Sequence, residues 1–143
     1  MHTLYVGYSE NQRRRIVGQH CNGDIRASVL REHIAGRMGY NDANVNEGRV
    51  SGYVQAGLWK LVTCNEVRMA MDFKGYVIEE LRPLLNVQRP RWDDDMRAQY
   101  AGQLQGLTNQ GGLRCNDIGP EHETCGVHVF YHDQLPEQWR GRR

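Results

Sequence analysis

Leu4-Tyr-Val-Gly-Tyr-Ser-Glu-Asn-Gln-Arg-Arg-Arg-Ile-Val-Gly-Gln-His20 sets a strand and a helix in direct succession. Leu4 to Tyr8 is a run of aromatic and aliphatic residues around one Gly, which predicts a short strand. Ser9-Glu10-Asn11 predicts a turn and a helix start, because Ser and Asn side chains satisfy the free N–H groups of a first turn. Arg13, Arg14 and Arg15 follow on that helix, and His20 lies beyond them. A strand that delivers Tyr5 and Tyr8 beside a helix that delivers Arg and His suits a phosphodiester. Arg offers a planar, permanently charged fork, and Tyr and His can move protons. The plain alternative is a strand followed by a basic surface helix.

Length and composition bound the rest. At 143 residues the chain reads as one domain, able to bury roughly two-thirds of its unfolded surface. The net charge is +1, so no global basic signal for nucleic acid exists. The basic residues cluster instead, at Arg13 to Arg15, Arg26, Arg31 and Arg37, and again at Arg140, Arg142 and Arg143. Local patches of this kind bind phosphate even at neutral net charge. No stretch reaches the roughly 20 apolar residues needed to span a bilayer, and no targeting segment is visible, so the expectation is a cytoplasmic protein without a membrane partner. The four scattered Cys are expected to be reduced thiols.

Asn22-Gly-Asp24 reads as a turn, and Ile25 to Met38 as a helix with apolar residues at helical spacing. Gly39 to Gly52 reads as a loop, with a short strand expected over Val50 to Val54. Leu58 to Cys64 predicts a strand, followed by a helix whose stripe is Val67, Ala70, Met71, Tyr76, Val77, Ile78 and Leu81. Gly75 interrupts that stripe, so two helices or one kinked helix both fit, and Pro83 ends it. Asp93 to Leu104 predicts a further helix, with Asp93 to Asp95 at its positive end. Gly106 to Gly119 reads as a flexible connector, Cys125 to Tyr131 as a strand, and Gln134 to Arg143 as a tail.

Two blocks resemble the GIY-YIG endonuclease family. Tyr5-Val6-Gly7, Asn11 and Arg15, ten residues after Tyr5, are similar to that family's second signature, in which a Tyr or His follows four residues later. Here position 19 is Gln and the His is His20. The Arg run followed by His looks like the branch that cuts DNA junctions. Ile78, Leu81, Pro83, Leu85 and Asn86 match the spacing of the family's second conserved helix and its exit. The resemblance implies an α/β fold, a small three-stranded, mostly antiparallel sheet packed with about three helices. It divides the chain into a nuclease-like core over 1–88, a helix and connector over 89–124, a strand completing the sheet over 125–133, and a tail over 134–143. It implies a Mg²⁺- or Mn²⁺-dependent endonuclease acting on double-stranded or branched DNA; a homodimer is compatible with it. Tyr5 or Tyr8 would help deprotonate water, Arg15 would stabilise the transition state, and His20, His128 and Asn86 would assist. Arg13, Arg14, Arg26, Arg31 and His33 would contact nucleic acid, although a solvated helix face accounts equally well for Arg31 and His33.

The chain departs from the family in two places. The position of the metal-binding Glu is Lys74, and an ammonium there would repel Mg²⁺. An inactivating substitution, a natural pseudo-enzyme and a misread register compete as explanations. The family's first strand, Gly-Ile/Val-Tyr, is missing ahead of Leu4, while Gly126-Val127-His128 near the C-terminus resembles it with His for Tyr. A circularly permuted sheet would pair that strand antiparallel with Leu4 to Tyr8 and set His128 against Tyr5. Separately, Cys115, His122, Cys125, His128 and His132 fall within 18 residues, and zinc on Cys115, His122, Cys125 and His132 is a competing expectation. The alternative to an enzyme is a nucleic-acid-binding module that kept the fold and lost the metal ligand.

Overall fold

The computed structural model describes residues 1–86 and 89–136. β1 (His2–Ser9) leads into a π-helix (Arg14–Cys21), then α1 (Val29–Arg37), α2 (Glu47–Gln55), β2 (Leu58–Thr63), α3 (Val67–Leu81), α4 (Arg97–Thr108) and β3 (Gly126–His132). The three strands form one antiparallel sheet in the order β1-β3-β2, so the last strand is the central one. Every residue of β3 is buried, as a strand covered on both faces must be. The register sets Gly7 opposite His128 and Val6 opposite Val129, with an irregularity between Thr3 and Tyr5.

Each face of the sheet carries its own core. Ile16, Leu30, Ile34, Val50 and Val54 pack against Leu4, Trp59 and Phe130 on one face. Phe73, Tyr76, Val77, Tyr100 and Leu107 pack against Val6, Val127 and Val129 on the other. The layers are therefore helix, sheet, helix. α3 is a single helix. Gly75 sits within it because residues 89–92 cross there, and a Cβ at 75 would run into the Arg91 carbonyl. Arg82, at φ 49°, turns the chain out of α3 ahead of Pro83.

As a free edge, β1 would expose unpaired amides and carbonyls. The segment after Pro83 covers part of it. The Leu84 and Leu85 amides donate to the Thr3 and Leu4 carbonyls at 3.1 and 2.8 Å. Asn86 then completes the pairing with its side chain: Oδ1 accepts from the Val6 amide at 2.8 Å and Nδ2 donates to the Val6 carbonyl at 2.9 Å. Asn86 is thus held on the β1 edge by its own side chain.

Several expectations need correction. The loop and strand expected over Gly39 to Val54 contain α2 instead, where Asn46 caps the first turn by accepting from the Arg49 amide. The connector over Gly106 to Gly119 is pinned rather than flexible, because Leu113 and Trp59 exchange two backbone hydrogen bonds of 2.7 Å. Cys115 is bonded to Cys21, so two of the four thiols are not reduced; Cys64 and Cys125 are free. A disulfide of this kind persists in oxidising compartments, which removes the thiol argument for the cytoplasm. Among the described residues no helix is long and apolar enough to cross a membrane. Of the expected tail, residues 137–143, with Trp139 and three arginines, lie outside the described residues.

Candidate functional site

Beyond the stretch of β1 covered by residues 84–86, the strand borders a cleft of about 190 Å³. Tyr5, Gly7 and Tyr8 of β1, Arg15 of the π-helix, Val29 and His33 of α1, Lys74 of α3, and Leu85 and Asn86 line it. Tyr5, Tyr8, Arg15, His33, Lys74 and Asn86, distant in the chain and each singled out by the sequence, thus meet on one concave surface. A wider groove of about 490 Å³ adjoins it, sharing Tyr8 and Arg15 and adding Glu10, Asn11, Arg14 and Gln19.

Local backbone structure explains how Arg15 reaches the cleft. Ser9 Oγ accepts from the Asn11 amide and Asn11 Oδ1 from the Arg14 amide, so the expected turn starts the helix. The helix then winds as a π-helix, a rare geometry that often occurs at functional sites. Ile16 and His20 point into the core, while Arg15 stays half-buried at the cleft. Among the described residues the Arg15 guanidinium enters no side-chain hydrogen bond or ion pair. Lys74 arrives from the opposite face of the sheet, its Nζ 5.2 Å from the centroid of the Tyr8 ring. Burial pushes the Lys74 pKa down. Burial also raises the Tyr5 hydroxyl pKa, and the nearby Arg15 charge partly offsets this.

His20 and His128 stand behind Tyr5 rather than on the cleft. The His128 ring centroid is 6.5 Å from that of Tyr5, within side-chain reach, and His20 is 5.6 Å from Tyr5. His20 stacks on Trp59 and shares a 2.6 Å hydrogen bond with Ser28 Oγ. Burial, with Arg15 and Arg31 nearby, pushes the His20 pKa down to about 3. Burial also pulls His128 well below the ordinary range, with contributions from His20, Arg15 and Lys74. Both rings are therefore neutral at physiological pH, and among the described residues neither nitrogen of His128 has a hydrogen-bond partner. Gly7 is what lets the two rings sit this close to β1. A Cβ at position 7 would lie 2.7 Å from His128 Nε2 and 3.2 Å from the Tyr5 hydroxyl oxygen.

The remaining sequence-named residues divide. Arg14 lines the adjoining groove, Arg26 is exposed in the turn before α1, and Arg13 lies 3.9 Å from Glu123. Arg31 is not a nucleic-acid contact, because it is fully buried. Its guanidinium donates to the carbonyls of His20 and Glu47, to Glu47 Oε1 and to Ser51 Oγ, at 2.9–3.1 Å. It ties the π-helix to α2, a contact that no local pattern around Arg31 signals.

The donor set does not fit a metal. Among the described residues no carboxylate lines the cleft, and Lys74 brings an ammonium to it. Asp72, the nearest acid on α3, accepts from the Tyr100 hydroxyl at 2.6 Å and the Asp93 amide at 3.0 Å, in a different groove of about 680 Å³. Among the described residues no group of three or more His, Cys, Asp and Glu is placed to hold a metal ion. The zinc expectation fails at Cys115, whose sulfur is already bonded to Cys21. No family model, curated protein or solved structure matches the chain.

Proposed function

We propose that the chain is a nuclease whose cleft binds a nucleic-acid phosphodiester, built on a GIY-YIG-like fold with its strands in circularly permuted order. One observation carries this reading: Tyr5, Tyr8, Arg15, His33, Lys74 and Asn86 converge on one small cleft. Two cations there can bind the phosphate from opposite sides, one as a fork and one as a point charge. The tyrosine hydroxyls can orient its oxygens, and Asn86 holds the strand edge that positions them. The central position of β3 and the nearness of His128 to Tyr5 accord with a permuted sheet. No step is routed through Mg²⁺, since the lining residues do not fit it. Lys74 in the family's metal-ligand position favours a second reading, a binding module with this fold that does not cut.

Binding and cleavage separate the two. Fluorescent single-stranded, duplex and branched oligonucleotides are titrated with the full chain at several salt concentrations, and the products are run on a gel. Affinity is expected to fall with salt, at about 0.7–0.9 of a log unit per log unit of salt for each phosphate contacted. Binding with cleavage is the expected result. Salt-dependent binding without cleavage leaves the binding module, and no binding to any of the three ends both readings.

A further inference from the structure

We propose that the cleft cleaves RNA without a metal ion, with the substrate's own 2′-hydroxyl as nucleophile and the Lys74 ammonium supplying the positive charge. This rests on the nuclease reading above and names its substrate. Among the described residues the cleft is lined by Arg15, Lys74, His33 and two tyrosines, and by no carboxylate. Glu10 lines the adjoining groove together with Arg14 and Arg15, whose charges oppose a divalent cation.

Such a site has a base in His33 but no carboxylate to hold the metal that would make water acidic. Bulk water has a pKa of about 15.7, and a bound metal is the usual device that lowers it to about 7. An RNA phosphodiester carries its own nucleophile beside the phosphorus, and such intramolecular groups reach effective concentrations of about 10⁵ M or more. DNA has no 2′-hydroxyl, so the chemistry of the lining selects RNA. In the step itself, the 2′-oxygen forms a bond to phosphorus and the bond from phosphorus to O5′ breaks. The 2′-hydroxyl proton passes to His33, whose imidazole makes no hydrogen bond among the described residues. O5′ takes a proton from Lys74, and Arg15 holds the non-bridging oxygens. The products are a 2′,3′-cyclic phosphate and a 5′-hydroxyl, with no oxidant, reductant or water consumed. Partial burial lowers the Lys74 pKa, which eases its loss of a proton.

The test uses the full chain with a labelled single-stranded RNA, the same sequence as DNA, and the 2′-O-methyl RNA, each with excess EDTA and with Mg²⁺. RNA is expected to be cut equally well in both conditions and to end in a cyclic phosphate, while the DNA and the 2′-O-methyl RNA are bound but intact. Lys74→Ala is expected to lose about 10²-fold or more in rate. It should recover most of that on RNA with sulfur in place of the scissile O5′, because a thiolate leaves without protonation. A melting curve checks that Lys74→Ala is folded. Cleavage abolished by EDTA, or DNA cut as well as RNA, overturns the inference and leaves the nuclease reading standing. Binding of all three without any cutting overturns it in favour of the binding module. No binding of any probe overturns the nuclease reading as well.

Discussion

Arg15→Ala is expected to slow cleavage by about 10²–10³-fold, the usual loss when a group that stabilises transition-state charge is removed. The melting temperature should barely move. The two expectations belong together because of where Arg15 stands. It lines both grooves, is half-buried, and among the described residues has no side-chain partner that its loss would strand. A change of this kind away from core packing stays within about 0.5 kcal/mol of wild-type stability. Arg15→Lys should recover only part of the rate, since an ammonium cannot grip two phosphate oxygens as a planar fork does. Initial rates at low and saturating substrate, with a melting curve for each variant, check this. Wild-type rates for a folded Arg15→Ala would remove Arg15 from the chemistry.

Arg31→Ala should do the opposite and unfold the protein without touching the cleft. The Arg31 side chain is fully buried, while Glu47, 3.0 Å away, is 35% exposed. Removing the guanidinium strands two carbonyls and Ser51 Oγ and leaves a cavity between α1, α2 and the π-helix. Each buried acceptor left unsatisfied costs about 1–3 kcal/mol, so the loss takes a large share of the roughly 5–15 kcal/mol available to a domain. Chemical denaturation should show the midpoint falling with the slope unchanged. Were Arg31 instead a surface contact to nucleic acid, the substitution would weaken binding and leave stability alone.

How much the sequence disclosed varies along the chain. The apolar stripe of α3 and the β-forming residues of β1, β2 and β3 are local signals, and they are present as helix and strands. Pro83 marks the end of α3 locally, while Asn86 stands out only through the family resemblance; in the structure Asn86 pairs with Val6. α2 was not legible. Glu-Gly-Arg-Val-Ser-Gly-Tyr-Val-Gln carries two glycines and weak intrinsic helix preference. It is held by the Asn46 cap, by Val50 and Val54 in the core, and by Arg31, all beyond a local pattern's reach. The disulfide joins residues 94 apart, a pairing that spacing cannot specify. At the candidate site the residue types were legible, but burial was not. His20, His128 and Arg31 read as surface chemistry because nothing nearby in the chain shows what packs over them.

The most direct measurement is amide chemical-shift mapping of the ¹⁵N-labelled full chain, titrated in EDTA with a short 2′-O-methyl RNA that carries no free 2′-hydroxyl. The largest changes are expected at Tyr5, Gly7, Tyr8, Arg15, His33, Lys74 and Asn86, around the cleft beside β1. Changes confined to the groove of Asp72, Asp93 and Tyr100, or none at a saturating concentration, would contradict a phosphodiester site in this cleft.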